Sequence, residues 1–169
     1  MEISMRILGI DPGYAIMGYG IVDKKGNSFI PVTYGAIATD KDMPMPDRLK
    51  VLYNGLMEII SEYDPEEVSI EELYFNTNAK TVIFVGEARG VAILACSNNG
   101  LPIYEYTPMQ IKTCTTGNGH AQKPQVQAMI KRILALDTVP KPDDVADALA
   151  AAVCHGYNGE MKKRLQLMK

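Results

Sequence analysis

Arg6-Ile7-Leu8-Gly9-Ile10-Asp11-Pro12-Gly13 is the first apolar run of the chain, and it breaks at a turn-forming Asp-Pro-Gly. Met17-Gly18-Tyr19-Gly20-Ile21-Val22 follows, then a second break at Lys24-Lys25-Gly26-Asn27 and a third run at 29–38. Three short β-prone runs joined by turn signals predict an antiparallel meander, with strands over 6–11, 17–22 and 29–38. The period then changes. From Pro46 to Tyr63 the apolar residues Leu49, Leu52, Tyr53, Leu56, Ile59, Ile60 and Tyr63 recur at helical spacing until Asp64-Pro65 stops them. A strand over 67–73, a helix over 79–98 closed by Asn98-Asn99-Gly100, a strand over 102–106 and helices over 108–115, 122–136 and 144–156 complete the reading. Right-handed crossovers put helices over both faces of such a sheet, so the expected class is α/β, a five-stranded mixed sheet between helical layers.

The 169 residues are enough for one domain, read as 1–169 with a basic tail over 157–169, and show no repeat or long linker. With 47% apolar and 22% charged residues the chain can bury a core. The longest uncharged stretch, 90–104, contains Ser97, Asn98, Asn99, Gly100 and Pro102 and falls short of the ~18 continuous apolar residues of a membrane span. No secretory signal opens the chain, so the expectation is a cytoplasmic protein with no membrane partner. Cys96, Cys114 and Cys154 are too scattered for a disulfide framework or a thiolate zinc site, and His120 and His155 too few for an imidazole one.

The net charge is -3, but residues 58–72 hold seven acids and no Lys or Arg, which leaves the remainder of the chain at +4. Basic surface is therefore available around Lys112, Lys123, Lys131 and Arg132 and in the tail, although such scatter also describes an ordinary solvated face.

Four carboxylates stand out. Asp11 ends the first strand, where the alternative is an Asx-turn before Pro12-Gly13. Glu71 lies in Val68-Ser69-Ile70-Glu71-Glu72, in a strand that this topology covers on both faces, so it or Glu72 is partly buried and needs a partner or a metal. Asp144 and Asp147 share one face of the last helix. Capping would account for Asp143 or Asp144, but not for Asp147 a turn farther in. Like charges 4 Å apart repel by ~4 kcal/mol at an effective dielectric of 20, so a cluster of these acids requires cations. Oxygen donors select Mg²⁺ or Mn²⁺, and two such ions suit in-line phosphodiester hydrolysis.

Two resemblances follow from these residues. Gly9-Ile10-Asp11-Pro12-Gly13 with Gly18-Tyr19-Gly20 resembles the phosphate hairpin of the sugar-kinase, actin and heat-shock ATPases, which clamp nucleotide between two such domains; this chain has length for one. The wider set resembles the RuvC family of bacterial Holliday-junction resolvases, in order over about 5–155. It comprises Ile7 to Gly13, Gly18-Tyr19-Gly20, Ile70-Glu71-Glu72, Glu87-Ala88-Arg89-Gly90-Val91-Ala92, Lys123-Pro124-Gln125-Val126-Gln127 and Asp144 to Ala150. The resemblance implies a ribonuclease-H-like fold and a homodimeric, Mg²⁺-dependent endonuclease acting on four-way DNA junctions in recombination and repair. A RuvA–RuvB branch-migration complex is the implied partner. The same resemblance carries the catalytic and metal-binding acids onto Asp11, Glu71, Asp144 and Asp147, and DNA contacts onto Lys112 and Lys123. The family's stacking aromatic falls on Tyr74, with Phe75 next to it. A catalytically inactive DNA-binding module is the third reading, though such a module has no use for all four acids. The dimer is expected to use the helix over 79–98, where Gly86 and Gly90 allow close approach, unless they seat the helix on its own sheet, and Val82, Val85 and Ile93 supply apolar surface.

Overall fold

Alternation along the strands sorts the apolar residues into two cores, one on each side of the sheet. The computed structural model describes residues 4–73 and 79–168. Tyr74 and Phe75 lie outside the described residues. Strands β1 (Ser4–Asp11), β2 (Ile16–Lys25) and β3 (Ser28–Ala38) form the expected antiparallel meander. Helix α1 (Met45–Tyr63), β4 (Glu67–Glu71), α2 (Ala79–Asn98), β5 (Ile103–Tyr106), α3 (Pro108–Thr116), α4 (Lys123–Ile133) and α5 (Asp143–Leu167) follow. The sheet order is β3-β2-β1-β4-β5, with β4 parallel to both β1 and β5. Pro31 lies on edge strand β3, where a missing N–H costs no interior ladder bond, and the β2/β3 register shifts beside it.

Ile7 and Val22 face one layer with Tyr104, Tyr106 and the buried residues of α3, α4 and α5. Leu8, Ile10, Met17, Ile21, Val68 and Ile70 face the other, against Leu52, Leu56, Ile59 and Ile60 of α1 and Ala88, Ala92, Ala95 and Cys96 of α2. From Thr81 to Asn98, α2 is long and apolar enough by composition to cross a membrane. In this fold its alanine face packs on the sheet, while Ile83 and Leu94 stand 60% and 53% exposed on the other side.

Two boundaries differ from the sequence reading for physical reasons. Strand β4 ends at Glu71, two residues early, because its neighbour β5 runs out at Tyr106. The last helix does not stop at Gly156 but runs on to Leu167, so most of the expected basic tail is helix. Gly156 is a packing position there: a Cβ would meet the Phe29 ring at 2.1 Å. Two of the tail's charges are engaged. Lys163 Nζ pairs with Glu67 at 2.6 Å, and the Lys162 ammonium lies 3.8 Å from the centre of the Tyr106 ring.

Candidate active site

Ile10 and Ile70 are the last residues paired between parallel strands β1 and β4, so the next residues, Asp11 and Glu71, leave the carboxyl ends of adjacent central strands together. Both belong to the α5 side. Glu71 alternates with Ser69, whose hydroxyl donates to the Ala151 carbonyl of α5 at 2.6 Å. Helix α5 lies flat on this face because glycines lie beneath it. A Cβ on Gly18 would stand 2.0 Å from the Asp144 carbonyl oxygen, and one on Gly9 2.0 Å from that of Ala148. This close seating delivers the first turns of α5, with Asp144 and Asp147, to the strand ends. It also removes the phosphate-hairpin reading, since Gly18 and Gly20 are covered by α5 and leave no room for a nucleotide phosphate.

The electrostatics report the crowding. Burial pushes the Asp11 carboxyl up to about 8, and the charges of Asp147, Glu71 and Asp144 add to it against the opposing charge of Lys123. Burial likewise raises Glu71, reinforced by Asp147 and opposed by Lys112 and Lys123. Asp147 is raised by burial against its hydrogen bond from Lys123. Asp143 stands apart: its carboxylate pairs with Lys141 at 2.7 Å in the first turn of α5, where negative charge suits the helix dipole.

Lys123, the first residue of α4, sits among these acids. Its Nζ is 2.9 Å from Asp147 Oδ2 and 3.7 Å from Asp143 Oδ2. Burial works to lower its pKa, but the hydrogen bond and charge of Asp147 prevail and raise it. Lys112 and Lys123 line one cleft with Glu71, Asp147, Pro108 and Ile111. Among the described residues, no three Asp, Glu, His or Cys side chains already form a metal cage. Among the described residues, the ammonium in contact with Asp147 is that of Lys123.

Two features carry no clear mark in the sequence. Arg89 lines a second cleft with Asp11, Glu71 and Glu72; it donates through Nη2 to Glu105, and its buried Nε has no hydrogen-bond partner among the described residues. A lone arginine inside the apolar helix over 79–98 is the available signal. Buried His155 bridges the Tyr106 hydroxyl at 2.7 Å and Glu67 at 2.6 Å, which ties β4 and β5 to α5. Nothing in the sequence spacing connects those three.

Over residues 7–155 the chain matches the family model described as crossover junction endodeoxyribonuclease RuvC. The chain belongs to the RuvC family. A crossover junction endodeoxyribonuclease RuvC of Caldanaerobacter subterraneus subsp. tengcongensis is 56% identical over 161 residues, 95% of this chain and 98% of that protein. One of Alkaliphilus metalliredigens is 57% identical over 158 residues, 94% and 96% of the two chains. Among solved structures, RuvC of T. thermophilus in complex with Holliday junction substrate superposes with a TM-score of 0.88 at 33% identity, covering 94% of this chain and 96% of that one. The five-stranded mixed sheet with its helical layers is thus the ribonuclease-H-like fold of this family.

Proposed function

We propose that this chain is a structure-selective endodeoxyribonuclease of the cytoplasm that resolves four-way DNA junctions by paired symmetric nicks. In this reading Asp11, Glu71, Asp144 and Asp147 hold two divalent cations, Mg²⁺ by preference and Mn²⁺ as a substitute. The observation that carries it is the meeting of four carboxylates, with Asp11 and Glu71 at the carboxyl ends of adjacent parallel strands and Asp144 and Asp147 in the first turns of the helix seated over them. Packing alone gives no reason to crowd four acids there, and family membership agrees with a nuclease. The donor set fits the group, since carboxylate oxygens are hard ligands for a hard cation. When bound, two such cations supply an activated water and stabilise the leaving 3'-oxygen.

The chain's own residues do the rest. Lys123 holds Asp147 until DNA arrives, then transfers its ammonium to a backbone phosphate and frees the carboxylate. Lys112, across the same cleft, neutralises a second phosphate. Tyr74 or Phe75 stacks on bases near the opened junction, a contact worth roughly 1 to 3 kcal/mol per base. The RuvA–RuvB complex is the expected partner for positioning the junction. Purified protein with a synthetic four-way junction and Mg²⁺ should give nicks at symmetric positions in two strands of like polarity. Equal cutting of linear duplex, or cutting undiminished by a chelator, would refute this function.

Lys112→Ala and Lys123→Ala should each weaken junction binding and lessen the salt dependence by about 0.9 in the log–log slope, one counterion per lost phosphate contact. Titrations between low and moderate salt measure this. Unchanged slopes in both variants would return the two lysines to an ordinary solvated face.

Paired nicks need two active sites related by a two-fold axis, hence a homodimer, for which α2 supplies the surface. Among the described residues, a Cβ on Gly90 would meet nothing within 4 Å, and one on Gly86 would meet Leu73 at 3.8 Å. These glycines therefore do not seat α2 on its own sheet; Ala88, Ala92 and Ala95 do. With Ile83 and Leu94 they form an open apolar surface suited to a second copy. Sedimentation should give twice 18.6 kDa. Gly90→Leu should shift the protein toward monomer and uncouple the nicks, whereas a folded, dimeric Gly90→Leu protein that still cuts both strands together places the interface elsewhere.

A further inference from the structure

Between α3 and α5 two thiols meet. Cys154 of α5, wholly buried, donates its S–H to Cys114 Sγ of α3 at 3.0 Å. The Asn158 side-chain amide donates to the same sulfur at 2.7 Å. Two donors directed at one sulfur favour its thiolate over its thiol. The Cys154 hydrogen bond, with Asn158 adding and burial opposing, accordingly draws Cys114 down to about 7, while Cys154 as donor is pushed up. Access differs as well. Cys114 lines a cleft of about 390 Å³ with Met109, Thr113, Asn158, Met161 and Lys162, whereas Cys154 is sealed behind it. Cys96 lies buried in the other core, its thiol pushed up to about 12 by that burial, and has neither feature.

We propose that Cys114 is a peroxide-reactive modification site and that Cys154 is its resolving thiol, so that oxidation cross-links α3 to α5. The Cys114 thiolate attacks one oxygen of hydrogen peroxide, the O–O bond breaks, and the departing hydroxide takes a proton from solvent, leaving a sulfenic acid. The Cys154 sulfur then attacks the sulfenic sulfur. An S–S bond forms, the S–O bond breaks, and the hydroxyl leaves as water with the Cys154 proton. Two electrons pass from the two sulfurs to the peroxide, which ends as two waters, and a dithiol reductant reverses the change. The sulfurs need close by only about 1 Å to reach the ~2.05 Å of a disulfide. The bond would close a loop that contains α4 and Lys123, and would fasten the helix of Lys112 to the helix of Asp144 and Asp147.

The test uses the full chain, reduced and then treated with hydrogen peroxide. Peptide mapping should show one new link, Cys114 to Cys154, and the thermal midpoint should rise by on the order of 10 °C, as expected for closing a loop of this length in a domain of this size. In Cys154→Ser the sulfenic acid has no resolving thiol, so a dimedone adduct should accumulate on Cys114. In the native protein Cys114 should react with a disulfide reagent at neutral pH at least roughly tenfold faster than Cys96. Peroxide that leaves Cys114 unmodified, dimedone labelling of Cys96 in its place, or a disulfide that forms only between chains would each overturn the proposal.

Discussion

Asp11→Asn, Glu71→Gln and Asp147→Asn are each expected to slow junction cleavage in Mg²⁺ by at least about 10³-fold while junction binding survives. Each substitution keeps the side-chain shape but removes one anionic donor from the site at the ends of β1, β4 and α5. A bound cation is worth several kcal/mol of transition-state charge stabilisation, and every ~1.36 kcal/mol is a factor of ten. The basic surface proposed to hold phosphate is untouched, so affinity is expected to persist. Asp144→Asn should behave the same way if its carboxylate is a ligand in addition to a first-turn charge. Single-turnover cleavage and gel-shift titration of the same preparations separate the two effects. Near-normal nicking by Asp147→Asn would sink the four-acid assignment.

The second expectation runs opposite in sign. Without divalent cations, Asp11→Asn should be more stable than the wild type at pH 8 by several kcal/mol. Burial and three acidic neighbours raise the folded-state pKa of Asp11 from 3.8 to about 8. Below about pH 4 the carboxyl is protonated folded and unfolded, and it costs nothing. As pH rises from about 4 to about 8 the unfolded chain releases this proton while the folded chain retains it, so the native state binds more protons and wild-type stability falls, at up to about 1.36 kcal/mol per unit. The loss is complete above about pH 8. The neutral amide of the variant carries no such penalty, so its advantage should be full at pH 8 and vanish near pH 4. Saturating Mg²⁺ should invert the order, because ligand binding stabilises the wild type as the logarithm of cation concentration and the variant less. Thermal melts in chelator and in Mg²⁺, at pH 5 and pH 8, give all four values. A wild type that gains stability between pH 5 and pH 8 in chelator would show that the four carboxylates do not crowd one another.

Much of this is legible from local chemistry. The meander, α1 with its Asp64-Pro65 stop and the existence of β4 as a strand depend on alternation, helical period and turn residues, which are properties of neighbours in the chain. Asp11 and Glu71 stand out because a charge at the end of an apolar strand is costly wherever that strand goes. Asp147 stands out because a carboxylate within a run of alanines lacks a local reason.

Other features depend on residues far apart in sequence, and no window along the chain contains them. Gly18 and Gly20 read locally as a phosphate turn; only the approach of α5, more than a hundred residues later, shows that they are the hollow in which that helix lies. Gly156 reads as a helix stop, but α5 runs through it, and the glycine is there because the Phe29 ring leaves no room for a larger side chain. Lys123 reads as a solvated base, and only the packing of α4 against α5 sets it on Asp147. The meeting of Cys114 with Cys154, and of His155 with Glu67, has the same origin. Periodicity and turn chemistry are short-range and are written in the sequence directly. Which buried polar group meets which is decided by how the helical layers settle on the sheet, where a difference of a few ångströms separates an ion pair from a free charge.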